Sequence, residues 1–171
     1  MADAIGDASY LEFAEARSGP LFRTAWLLTG DWHLAEDLVQ ETLGKMYLSW
    51  RKGGRIESPA AYAETVLVRT FLSLRRRRSY GERPAAALPD APDDRDGMLG
   101  SDLRITLLTG LARLPVKDRA VLVLRYWEDR SVEETAQALG LAPGTVRIRA
   151  LRALEKLRKV LGDQLPELTS R

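Results

Sequence analysis

Asp37 and Glu41 stand four residues apart, a spacing that puts two carboxylates on one face of a helix. Such a pair could ligate a metal ion or do acid–base work. No third ligand is nearby: the chain has one histidine, His33, and no cysteine. Like charges at this spacing also slightly disfavour the helix. That leaves a solvated face, or a docking surface in which neighbouring leucines supply area and the carboxylates supply specificity. The loop Arg51-Lys52-Gly53-Gly54-Arg55 is basic and glycine-rich, but no Gly-Lys-Ser/Thr enters a helix, so it is not a phosphate loop. The remaining charged clusters are basic. Arg75 to Arg78 are four consecutive arginines, and Arg147 to Lys159 holds six basic residues against one acid, Glu155. The pattern points to binding rather than catalysis, with no cofactor and no metal.

The second basic cluster belongs to a helix-turn-helix over Ser131–Leu157. Ser131 is an N-cap, with Glu133 and Glu134 in the first turn where acid suits the helix dipole. Gly140 falls where a chain leaving a helix needs a left-handed residue, and Pro143 takes the first position of the next helix. A turn of three to four residues holds two helices at a steep angle. Projected at the α-helical period, Val146, Ala150, Ala153, Leu154, Leu157 and Leu161 face inward. Thr145, Ile148, Arg152, Glu155 and Lys159 face outward, with Arg147 and Arg149 on the flanks. Major-groove docking requires such a basic face on the second helix. Ile148 sits near the middle of it, where an apolar group can meet a thymine methyl.

Upstream, the residues from Ser9 to Thr29 read as one helix or as a pair broken at Gly19-Pro20. Thr29-Gly30-Asp31 is a stop and restart, with Asp31 capping a helix from Trp32 to Trp50. Val39, Leu43, Met46 and Trp50 form its core stripe. Asp37, Gln40, Glu41 and Gly44 form its polar face, flanked by Leu34 and Leu38. A helix from Pro59 to Arg78 turns Ala63, Val66, Leu67, Thr70, Phe71 and Leu74 inward, and Tyr62, Thr65, Arg69, Ser73 and Arg76 outward with Arg77 close by. Last-turn arginines suit the helix dipole. Four in a row, preceded by Arg69, exceed what capping needs and suit nucleic-acid phosphates, and Tyr62 can stack on an unpaired base.

The whole chain is 171 residues with a net charge of only +2, so its basic residues act as patches. It has no signal-like N-terminus and no apolar run long enough to span a membrane, which makes a cytoplasmic protein the default. Residues 81–101 change composition: PAAALPDAPDDRDG carries three prolines and four aspartates against one arginine. Such a stretch should be an extended, acidic, flexible linker. The expected architecture is therefore all-α: two small helical domains, 9–80 and 102–165, joined by that linker. Helices from Asp102 to Leu114 and from Pro115 to Tyr126 complete the second domain. Ala120 to Leu124 are apolar nearly all round, as at a domain centre.

Three stretches, in this order and at these separations, resemble the sigma-70 family of bacterial RNA polymerase sigma factors, in its extracytoplasmic-function group and its small actinobacterial branch. They are AEDLVQETLGKMYLSW, VLVRTFLSLRRRR, and LPVKDRAVLVLRYWEDRSVEETAQALGLAPGTVRIRALRALEKLR. The resemblance covers nearly the whole chain. It implies that the first helix docks on the clamp coiled coil of the polymerase largest subunit through Asp37, Leu38, Gln40 and Glu41. It implies that Arg55, Tyr62, Arg69, Thr70, Ser73, Arg76 and Arg77 open the promoter at the −10 element and hold its unpaired strand. Thr145, Arg147, Ile148, Arg149, Leu151 and Arg152 would read the −35 element as duplex, in a domain that also docks on the β flap. The linker would thread toward the active site and RNA exit path. An anti-sigma protein that clamps both domains is common in the family. Catalysis would belong to the polymerase, so the chain itself is not an enzyme.

Four positions depart from the family pattern. Many members carry Asn at the position of Thr70 and Asp at that of Ser73, which bears on the choice of the −10 base. Many carry Ser at the position of Ile148, and Ser at the helix cap where this chain has Ala142; losing the cap costs about 1 kcal/mol. Two rival functions fit parts of the pattern. A dimeric helix-turn-helix regulator explains the C-terminal domain but neither the acidic docking face nor the arginine-rich helix. A metal-dependent phosphotransfer enzyme or nuclease would need a carboxylate cluster that the sequence lacks.

Overall fold

Gly30 and Asp31 turn the chain back on itself. Gly30 takes a left-handed conformation (φ 67°), and the Asp31 carboxylate accepts the Leu34 N–H at 3.0 Å, capping the next helix. The computed structural model describes residues 2–53, 55–81 and 101–162. In it α1 runs Ala2–Thr29 and α2 Trp32–Arg51. The two are antiparallel: Phe22 packs at a tilt against Trp32 near the turn (4.5 Å between centroids), while Tyr10 meets Trp50 at the far end (5.8 Å). The Tyr10 hydroxyl donates to the Leu43 carbonyl, and Tyr47 to Asp7 at 3.1 Å. The Gly19-Pro20 pair does not break α1, which continues through Pro20 as one helix. An interior proline costs one backbone bond. Leu21, Ala25 and Leu28, buried just beyond it, hold that stretch of α1 against the core.

Helix α3, Pro59–Gly81, lies against both α1 and α2 and turns Ala63, Leu67, Val68, Thr70 and Phe71 inward. The C-terminal half comprises α4 (Ser101–Ala112), α5 (Val116–Leu122), α6 (Val132–Leu139) and α7 (Pro143–Leu161). Helix α5 widens into a π turn over Val123–Trp127. Every residue from Asp118 to Leu124 is buried, as expected for the helix at a domain centre. The described residues form helices and turns throughout, and no helix among them is long and apolar enough to cross a membrane.

The sequence gives each half its own core, but the structure joins them. Trp26, Leu28, Val68 and Phe71 belong to the same hydrophobic cluster as Leu108, Leu111, Leu122 and Leu124. A smaller cluster, Val121, Ala136, Val146 and Ala150, holds the helix-turn-helix together. The proposed linker, 81–101, falls almost wholly outside the described residues.

Candidate nucleic-acid interface

The α6–α7 turn is fixed by local chemistry. The Ser131 hydroxyl accepts the Glu134 N–H at 3.0 Å, and the Glu134 carboxylate accepts the Ser131 N–H at 2.8 Å, a reciprocal capping box. Hydrogen bonding with Ser131, through its backbone N–H first and its side chain second, holds the Glu134 carboxyl below its ordinary value. Gly140 ends α6 in the left-handed region (φ 64°) and its N–H returns to Ala136. Ala142 caps α7 without any side-chain bond, and Pro143 opens the helix.

Helix α7 then seats Val146, Ala150, Ala153, Leu157 and Leu161 in the core. Its outer face presents Arg147, Ile148, Leu151 and Arg152 to solvent, with Thr145 half-buried at the start. Ile148 is 52% exposed and Leu151 65%, an apolar pair flanked by guanidinium groups. Arg147 pairs at the surface with Glu133 of α6 (3.3 Å), an exposed contact that DNA can displace. Arg149 does not join this face. Its Nη1 donates to the Asp118 carboxylate at 2.7 Å, so it ties α7 to buried α5.

On α3 the expected strand-binding residues divide. Tyr62, Arg76 and Arg77 are exposed, as is Arg55 in the preceding loop, and Ser73 is half-buried. Thr70 is a core position, 3% exposed, and its Oγ1 accepts from Lys45 at 3.0 Å. It cannot touch a base from there. Lys45 also pairs with Glu41 at 3.1 Å, so α2 and α3 are linked side chain to side chain. Arg69 is exposed, yet its guanidinium donates to the Ala138 carbonyl at 2.7 Å and to Gln137 at 3.1 Å, at the C-terminus of α6. Arg75 lies over the Phe71 ring at 5.7 Å; burial first, and Arg78 second, lower its pKa.

On α2, Asp37, Gln40 and Glu41 share an exposed acidic face. Leu38 is not part of it. It is fully buried and shares a crevice between α2 and α3 with Leu34, Phe71 and Leu74. Helix α2 packs on both α1 and α3, so its buried arc is wider than one stripe and takes in Ala35, Leu38 and Thr42 beside Val39 and Met46.

Two arginines absent from the sequence reading organise the contact between the halves. Arg119, 4% exposed, donates to the carbonyls of Leu28 (2.6 Å), Ala112 (3.1 Å) and Leu114 (3.2 Å). One guanidinium thereby caps the C-terminal ends of α1 and α4. Burial, and secondarily Arg75, lower its pKa to about 10, so it remains charged. Arg130 donates to Thr65 Oγ1 at 2.9 Å, to Glu64 at 2.8 Å and to the Ala61 carbonyl. Arg17 of α1 holds the other Glu64 oxygen at 3.1 Å. The only sequence signal for Arg119 was a charge inside the most apolar helix of the chain.

Comparison with known proteins agrees with this layout. The Sigma-70 region 2 family model matches residues 13–80, and the Sigma-70 region 4 model matches 104–157. An RNA polymerase sigma-E factor of Streptomyces coelicolor is 37% identical over 88% of this chain and 84% of its own length. The ECF RNA polymerase sigma factor SigL of Mycobacterium tuberculosis is 32% identical over 84% of this chain and 83% of its own. Among solved structures, the sigma factor RpoE of Bartonella quintana, crystallised with the anti-sigma factor NepR, superposes with a TM-score of 0.72. That match is 25% identical and covers 91% of this chain and 98% of RpoE. With both regions matched in order and these relatives aligned along most of their length, the chain belongs to the sigma-70 family of RNA polymerase sigma factors, in the extracytoplasmic-function group of actinobacterial type.

Proposed function

We propose that this sigma factor selects promoters with two hands and leaves catalysis to core RNA polymerase. The observation that carries the proposal is the outer face of α7, where Arg147, Ile148, Leu151 and Arg152 stand exposed on a helix fixed by a tight, capped turn. The α7 face enters the major groove at −35. Arg147 and Arg152 reach base edges and phosphates, and Ile148 with Leu151 meets thymine methyl groups. Arg55, Tyr62, Arg76 and Arg77 hold the unpaired strand at −10, where phosphate contacts and stacking offset the cost of unstacking the duplex. Ser73 lines that surface, and Arg69 joins it once free of α6. Asp37, Gln40 and Glu41 dock on the clamp coiled coil of the polymerase largest subunit, and the C-terminal domain, 102–165, docks on the flap. An anti-sigma partner is supported by the solved RpoE–NepR complex. The protein works where the polymerase does, in the cytoplasm.

Gel filtration of the chain with core polymerase tests the docking assignment. The chain co-elutes with core enzyme, and Asp37→Lys weakens that complex. Undiminished assembly by Asp37→Lys sinks the docking face.

A further inference from the structure

Leu48 of α2 is 62% exposed, more than any other large apolar side chain described outside α7. A single exposed leucine means little by itself. Its register gives it meaning. At about 100° per residue, Asp37, Glu41, Gly44 and Leu48 fall within an arc of about 60°. Met46, fully buried, lies on the opposite side of the helix. The stripe from Asp37 to Leu48 is about 16 Å long at 1.5 Å per residue, three turns of helix. Leu38, expected to be the apolar member of the acidic docking face, is buried and cannot serve it. Carboxylates give such a face selectivity, but binding energy comes mainly from apolar anchors that lose water on docking. Leu48 supplies that anchor at the end of the stripe.

Gly44 is an independent sign of the same partner. It sits in the body of α2, where only proline is a poorer helix former. Nothing in the fold asks for a glycine there. It takes no positive φ, and a Cβ built on it meets no atom within 4 Å. A bare backbone on an exposed helix face lets another chain approach closely. Lys45 would set a cation beside the stripe, opposed to Asp37 and Glu41 in charge. Its ammonium is instead drawn toward α3, where it donates to Thr70 at 3.0 Å, and it pairs with Glu41 at 3.1 Å. Thr70 thereby helps to keep the middle of the stripe clear.

We propose that the polymerase-docking stripe runs on from Asp37 and Glu41 to Leu48, with Leu48 as its apolar anchor and Gly44 as the point of closest approach. The proposal rests on the docking face described under the proposed function. Its occupant is the clamp coiled coil of the polymerase largest subunit, one helix of which lies along α2 for about three turns. Charge complementarity requires that helix to set cations opposite Asp37 and Glu41 and an apolar side chain opposite Leu48.

Competition for core polymerase, without DNA, tests this. The chain has no native cysteine, so the full-length wild-type sequence carries a dye at Lys156→Cys, an exposed site on α7. Unlabelled variants displace it, and fluorescence anisotropy reads their affinity. Leu48→Ala should bind core about tenfold more weakly, and Leu48→Met close to wild type. That loss should persist at high salt, whereas the loss from Asp37→Lys should shrink. Gly44→Ala should raise Tm yet weaken core binding about threefold, a split that a purely structural glycine would not produce. Alanine favours helix at both positions, so both variants keep α2 folded. Wild-type affinity for Leu48→Ala or Gly44→Ala, with Asp37→Lys still weak, overturns the extended stripe and leaves the acidic docking face standing. Wild-type affinity for all three overturns both.

Discussion

Arg149 of α7 places its Nη1 2.7 Å from a carboxylate oxygen of Asp118 in α5, and Asp118 is 5% exposed. The bond anchors the recognition helix to the most buried helix of the C-terminal half. Arg149 therefore sets where the reading face points without being part of it. Removing one partner of a buried pair leaves the other uncompensated; with Arg149 partly open to solvent, Arg149→Ala should cost about 1–3 kcal/mol. For a chain of this size that lowers Tm by about 2–12 °C. Thermal melts read the loss, and a promoter-library selection should return the wild-type −35 sequence. A changed −35 preference would put Arg149 back on the DNA.

Ile148→Ala should do the opposite. The side chain is half-exposed and contributes little to the core, so Tm should stay within about 1 °C. The preferred −35 sequence should shift at one or two thymine positions, where a lost apolar contact changes discrimination by about 1 kcal/mol. The same library selection checks it, and an unchanged preference counts against the α7 reading.

Arg119 holds three carbonyls from two helix ends. Arg119→Met keeps most of the side-chain volume but leaves those carbonyls without their donor. The expected cost is on the order of 3 kcal/mol, or a Tm lower by about 6–12 °C. Calorimetry of the full chain should show the drop with DNA contacts untouched.

Glu128 gives the interface a pH dependence. Burial raises its carboxyl pKa above the ordinary 4.5, and Glu64 adds to the rise, against the Thr24 hydroxyl and Arg130, which lower it. The folded state therefore holds this proton more tightly than the unfolded chain does. Stability from Glu128 is fully present below pH 4.5 and is lost as pH rises through the raised value. Other carboxylates add their own acid dependence, so the informative quantity is a difference. Glu128→Gln keeps an acceptor for Thr24 and removes the charge; it should be more stable than wild type at neutral pH, with the gain shrinking on acidification. Chemical denaturation at several pH values measures this. A constant difference across pH would assign the effect elsewhere.

The features legible in the sequence were those with local causes. Asp31, Ser131 and Gly140 act within one turn of where they sit, and each does what its residue type dictates. The inward stripe of α7 followed from period alone. Leu38 was misplaced because a single-helix projection cannot show that α2 is packed on two sides. The proline in α1 was ambiguous because its tolerance depends on tertiary packing. Charge and the family resemblance together put Arg69 and Arg149 on DNA. Their protein partners lie 31 or more residues away in sequence, where no local pattern reaches. Arg119 and Arg130 went unread for the same reason: Leu28 is 91 positions from Arg119, and Glu64 is 66 from Arg130.

Run-off transcription tests the central claim most directly. Core polymerase lacking any sigma factor is incubated with genomic promoter fragments, with and without this chain. The account predicts discrete transcripts of defined start only when chain and core are both present, with the chain alone giving no stable complex on the same fragments. Tight, polymerase-independent binding to a palindromic site, with no new transcripts from core enzyme, would contradict it and return the chain to the dimeric regulators.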